Sequence, residues 1–164
     1  MTETTFWNQL RSGKFAKMVR EASKGKALCN PVEVYNITKP LFVENDDVET
    51  VYCIFLDGQN QILAMEKMFT GTLTCATIYP REIVKRVIAL KAAATVLIHN
   101  HPSGDTTPSQ EDKALTKKVI YSLAAIDVLL HDHLIVGNGY HSMSDDGWMK
   151  SATDQCRKFL SSQS

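Results

Sequence analysis

The chain has 164 residues, 44% of them hydrophobic, and its 18 Lys+Arg are balanced by 18 Asp+Glu. That length and apolar content support one ordinary domain with a real core and exclude a disordered or fibrous chain. Zero net charge excludes a general nucleic-acid coating protein, which needs surplus Lys and Arg to displace counterions, though a local basic patch stays compatible with it.

No uncharged apolar stretch approaches the ~20 residues of a membrane span. Charged and polar residues interrupt every apolar stretch near the N-terminus, unlike a signal peptide. Cys29, Cys53, Cys75 and Cys156 contain no Cys-x-x-Cys clip and read as reduced core thiols of a cytoplasmic protein.

In chain order, the first 28 residues or so read as a basic amphipathic helix. Its apolar residues are Phe6, Trp7, Leu10, Met18 and Val19, and its cations are Arg11, Lys14, Lys17, Arg20, Lys24 and Lys26. Such a helix either docks on the domain with a solvated face or contacts nucleic acid or a partner. We take residues 1–29 as an N-terminal extension and 30–164 as the main domain. Asn30-Pro31-Val32-Glu33 has the order of a helix start, with Asn as cap, Pro in the first position and Glu able to bond back. Pro40 limits that helix and disfavours helical geometry at Lys39. Residues 51–57 form an apolar run expected of a strand covered on both faces. Asp57-Gly58-Gln59-Asn60 then turns the chain into a hairpin partner over 61–69. Gly71–Thr77 is another possible strand.

Pro80 opens a helix with Ile83, Val84, Val87 and Ile88 at helical spacing, Lys85 and Arg86 being its solvated face. Residues 94–98 are a short buried strand ending at His99. Ser109–Ala125 is a helix, 128–136 a strand, Gly137-Asn138-Gly139 a turn, and a last helix follows. Interleaved strands and helices predict an α/β fold, a mixed sheet covered by helices.

The chemistry concentrates in His99-Asn100-His101-Pro102, Ser109 and Asp112. Two imidazoles at i and i+2 at a strand end project to one side. The turn-rich loop after them can fold back and bring Asp112 to the same ion. Two His and one carboxylate leave one of zinc's four positions open for water, whose pKa then falls to about 7. The same residues also suit a plain helix start, with Ser109 as cap and Asp112 in the first turn facing the helix dipole. A second His-x-His, His131-Asp132-His133, lacks a following carboxylate and reads as structural.

The spacing His-x-His-Pro, six residues, Ser, two residues, Asp resembles the JAMM (MPN+) metalloprotease signature. HNHPSGDTTPSQED, with YPREIVKRVIAL before it and DHLIVG after it, resembles the RadC family within that group, over residues 30–148. The resemblance implies a JAB/MPN-type α/β/α fold, related in architecture to cytidine deaminases. It implies one zinc ion per chain on His99, His101 and Asp112. It also implies an upstream Glu that activates water, which falls on Glu49 just before the first apolar strand, and a Ser, here Ser109, that stabilises the tetrahedral intermediate. Asn100 stands where the deubiquitinating branch has Ser or Thr. Longer RadC proteins carry an N-terminal helix-hairpin-helix region, so the expectation here is a short form without it.

A zinc deaminase would need His-x-Glu and Pro-Cys-x-x-Cys, and His-Glu-x-x-His, a P-loop and a Gly-x-Ser-x-Gly elbow are all missing. His-Asn-His does not indicate an HNH nuclease, whose naming residues are scattered along its sequence. The sequence therefore points to a zinc-dependent hydrolase of a peptide or isopeptide bond in a protein or peptide substrate. The alternative is a DNA-repair-associated module that binds DNA or protein and uses zinc for structure.

Overall fold

The computed structural model describes residues 4–5, 8, 12–43, 47–71 and 79–162. The elements are α1 (Lys14–Ser23), α2 (Pro31–Thr38), a 3₁₀ turn (Lys39–Phe42), β1 (Thr50–Leu56), β2 (Ile62–Thr70), α3 (Pro80–Leu90), β3 (Ala94–Asn100), α4 (Gln110–Ala124), β4 (Leu129–Gly137), β5 (Gly139–Ser142) and α5 (Trp148–Ser161). One five-stranded sheet has the order β2-β1-β3-β4-β5. The β3–β4 pair is parallel, and β1–β2, β1–β3 and β4–β5 are antiparallel.

Every residue of β1 and β3 is buried, because both sheet faces are covered. Side chains alternate between those faces. Tyr52, Ile54, Leu56 and Ile98 pack with Ala16 of α1, Val34 of α2 and Phe42 of the 3₁₀ turn. Val51, Cys53, Phe55 and Leu97 pack with Ile83 of α3 and Leu115, Val119 and Leu123 of α4. Helix α5 extends the second layer through Met149, Ala152 and Cys156 against Ile120 and Ile135. The architecture is the mixed α/β sandwich that the alternation of elements predicts.

Local differences have simple causes. Asn30 caps α2 by accepting Glu33 N–H at 2.9 Å, but the Glu33 carboxylate receives the N–H of Cys29, one residue before the cap, at 2.8 Å. Helix α2 ends at Thr38, two residues before Pro40, as expected, but the path stays helical beyond it. Lys39 keeps right-handed helical angles, and the tighter 3₁₀ turn that follows buries Leu41 and Phe42. Ile88, read as apolar-face, is 64% exposed. Arg86, read as solvated, makes a bidentate ion pair with Glu66 of β2 at 2.7 and 2.6 Å. Cys53 and Cys156 are buried free thiols, whereas Cys29 is exposed rather than core. In α1, Met18 is 68% exposed while Val19 packs on the core. Strand β5 was hidden in the turn-to-helix reading because it is only four residues long. Phe6, Trp7, Leu10, Arg11, Glu44, Asp46, Cys75 and all of the possible strand after Gly71 lie outside the described residues. Among the described residues no helix is long and apolar enough to cross a membrane.

Candidate metal centre

The site forms where β3 leaves the sheet. His99 is fully buried and lies between Val51 of β1 and Ile135 of β4. The strand runs one residue further than expected, to Asn100. His101 stays attached to the sheet end through its N–H, which donates to the Val136 carbonyl at 2.8 Å. Residues at i and i+2 of an extended chain point the same way, and the two imidazole centroids stand 4.6 Å apart.

The following loop is folded back by its main chain. Gly104 N–H donates to the His101 carbonyl at 2.9 Å, and Asn138 N–H to the Gly104 carbonyl at 2.8 Å. Gly104 sits at φ +83°, and a Cβ on Gly137 would lie 2.5 Å from the Gly104 carbonyl oxygen, so glycine is required on both sides of this contact. The loop delivers Ser109 as the cap of α4. Ser109 Oγ accepts Asp112 N–H at 3.0 Å, and the Asp112 carboxylate accepts Ser109 N–H at 2.7 Å. The capping box and the ligand reading are therefore one arrangement: the cap aims the buried carboxylate at the histidines.

His99 Nε2 lies 2.8 Å from His101 Nε2 and 3.1 Å from Asp112 Oδ1, and His101 Nε2 lies 3.3 Å from Asp112 Oδ2. One ligand atom from each residue falls within 4.8 Å of the others. Ligands ~2.0–2.1 Å from a tetrahedral ion stand about 3.3 Å apart, so this donor set fits a metal ion such as zinc. His101 Nδ1 meets the Asp105 carbonyl at 2.7 Å, which directs its Nε2 inward toward His99 and Asp112.

The charges are coupled. Hydrogen bonding to Asp112 raises the His101 pKa against the opposing effect of burial, with help from the Asp105 carbonyl and the charge of Glu49. Burial disfavours the Asp112 carboxylate, but its close contacts with His101 and His99 hold it well below the usual carboxylate range. His133, buried on β4 against His99, is pushed well below its ordinary value by burial and then by His99.

A cavity of about 590 Å³ opens on this side, lined among others by Glu49, His101, Ser109, Glu111 and Asp112. Glu49 and Ser109 thus share this space with His101 and Asp112, while His99 is fully buried and does not line it. Asn100 ties the Glu49 segment to the ligand strand: its Oδ1 accepts Thr50 N–H at 2.7 Å and its Nδ2 donates to the Val48 carbonyl at 3.0 Å. Gly71 N–H donates to the Glu49 carbonyl at 2.9 Å. Asn100, His133 and Thr116 were not selected from the sequence as site residues. The available signal was polar residues inside apolar strands, His-Asn at the end of β3 and His-Asp-His within β4. His131, the other half of that second pair, faces away and meets Asn60 at 2.9 Å.

The family model described as RadC-like JAB domain matches residues 28–148. A UPF0758 protein of Thiobacillus denitrificans is 42% identical over 119 residues, 73% of this chain and 53% of its own length. One from Pseudomonas fluorescens is 44% identical over 131 residues, 79% of this chain and 58% of its own. One from Vibrio cholerae is 37% identical over 126 residues, 77% of this chain and 80% of its own. The chain thus spans little more than half of the first two relatives. Since the matched region holds the sheet, the folded-back loop and the converging His99, His101 and Asp112, the chain belongs to the RadC-like JAB-domain family.

Proposed function

We propose that the chain is a zinc-dependent hydrolase that cleaves a peptide or isopeptide bond. The supporting observation is that His99, His101 and Asp112 converge beside a cavity that Glu49 and Ser109 also line. Three protein ligands leave a fourth zinc position open, the pattern of catalytic rather than structural sites. When bound, such an ion supplies Lewis acidity, polarising a carbonyl and making water a usable nucleophile near neutral pH. Glu49 takes the proton of the attacking water and returns it to the leaving amine. Ser109 Oγ accepts the Asp112 N–H through a lone pair, which leaves its hydroxyl proton free to donate to the developing oxyanion, a contribution of about 3 kcal/mol.

The zinc-loaded protein is expected to cleave members of a peptide and isopeptide library, to stop after chelation and to recover with zinc. Cleavage that persists in metal-free protein overturns the reading, as does a failure to take up about one zinc per chain.

Ser109→Ala is expected to keep its zinc and lose about 1 kcal/mol of stability, the usual cost of a lost cap. The bond that orients the Asp112 carboxylate comes from the Ser109 main chain, which alanine retains. Elemental analysis with denaturant unfolding checks both. Asn100→Ala is expected to keep zinc but lose turnover. It strips partners from the buried Thr50 N–H and the half-buried Val48 carbonyl, at about 1–3 kcal/mol for the buried one. Unchanged turnover in Asn100→Ala would show that Glu49 needs no such anchor.

A further inference from the structure

His133 is fully buried and lies outside the ligand set. Its Nε2 is 2.9 Å from His99 Nδ1, and its Nδ1 is 2.6 Å from Thr116 Oγ1. Thr116 Oγ1 is in turn 2.6 Å from the main-chain carbonyl of Asp112.

The direction of this chain follows from its last member. A carbonyl only accepts, so the single hydroxyl proton of Thr116 goes to Asp112 O. The Met143 thioether, 3.7 Å from the same hydroxyl, is a weak competitor at that distance. With its proton committed, Thr116 Oγ1 accepts from His133, which places the His133 proton on Nδ1. In a neutral imidazole the other nitrogen is then the acceptor, so His133 Nε2 receives the proton of His99 Nδ1. His99 is left with a bare Nε2, the atom that faces His101 and Asp112. The same circuit starts on Asp112 and ends on His99, so it ties the positions of two ligands to each other.

We propose that His133, supported by Thr116, is a positioning residue that fixes the tautomer and ring angle of His99 so that Nε2 carries its lone pair to a metal ion. The proposal rests on reading the site as a metal centre. A ligand histidine whose second nitrogen is held in this way binds more tightly, and loss of the holding group typically costs 10–100-fold in affinity.

The test is the Zn²⁺ affinity of the full chain at neutral pH, by competition with a chromophoric chelator. His133→Leu is expected to keep its circular dichroism and lose 10–100-fold. His133→Gln, whose Oε1 can accept the His99 proton where Nε2 does now, is expected to stay near wild type. Thr116→Val keeps the shape, loses the hydroxyl and is expected to fall between them. Wild-type affinity in His133→Leu overturns the proposal. An equal loss in the Leu and Gln variants also overturns it, since the acceptor would then not be what matters. If His133→Leu does not fold, Thr116→Val decides, and wild-type affinity there overturns the proposal. No zinc uptake by the wild type is a separate failure, that of the metal-centre reading itself.

Discussion

Glu49→Gln is expected to keep the fold and the zinc and to lose hydrolysis by 100-fold or more, the range that general-base catalysis supplies. Gln matches Glu in size and cannot take a proton at neutral pH, so the substitution isolates the proton-transfer role. The structure supplies the reason a base at this position would be effective. Glu49 lies at the entrance of β1, with its main chain anchored by Asn100 on both sides and by Gly71. A catalytic group held on a rigid element keeps its geometry better than one on a loop. Among the described residues, and apart from Asp112, two other carboxylates line the same cavity and compete for the role: Asp47 and Glu111, both exposed. The comparison to run is therefore turnover of Glu49→Gln, Asp47→Asn and Glu111→Gln on one cleaved peptide. Wild-type turnover in the first with loss in either of the others moves the base to that residue.

His99→Ala and His101→Ala are both expected to lose the metal, because two remaining ligands hold an ion poorly against water. They differ in what happens to the metal-free fold. His99 is fully buried, and its removal takes one contact from the buried Asp112 carboxylate and leaves His133 Nε2 without the His99 ring. Leaving a buried polar group short of a partner costs about 1–3 kcal/mol. The His101 side chain is 13% exposed and sits beyond the last strand residue, so solvent can take its place. Denaturant unfolding of the two metal-free variants is expected to show the larger loss in His99→Ala. Elemental analysis showing full zinc retention in either variant overturns the ligand assignment.

What the sequence disclosed follows from the range of the forces involved. The continuous apolar run of 51–57 and the helical spacing of Ile83 and Val87 announce burial that is decided locally, and both are buried as expected. The convergence of His99, His101 and Asp112 was legible because strand geometry, a turn-rich loop and a helix cap are short-range devices that leave a fixed spacing. The support around the trio was not. The Asn100 clamp reaches across 50 residues to Thr50, and His133 reaches across 34 to His99. Such contacts exist only once the sheet has set its strand order, in which β3 lies between β1 and β4. Pro40 marked the end of α2 correctly, and only Lys39 departs, since the pull of burying Leu41 and Phe42 outweighs the local preference of the residue before proline.

The division of the site between strand and loop has a consequence for how it opens. His99 is carried on a central strand paired on both sides, whereas His101 begins a loop held at Val136 and Gly104. Local opening free energies are low in such loops and approach the global value in central strands. Lifting the loop separates His101 from the His99–Asp112 pair and leaves the sheet intact. Amide hydrogen exchange should therefore be fast over residues 102–108 and as slow at His99 as in the rest of β3. Protein stripped of its ion is accordingly expected to stay folded and to reload through movement of this loop, without passing through the unfolded chain.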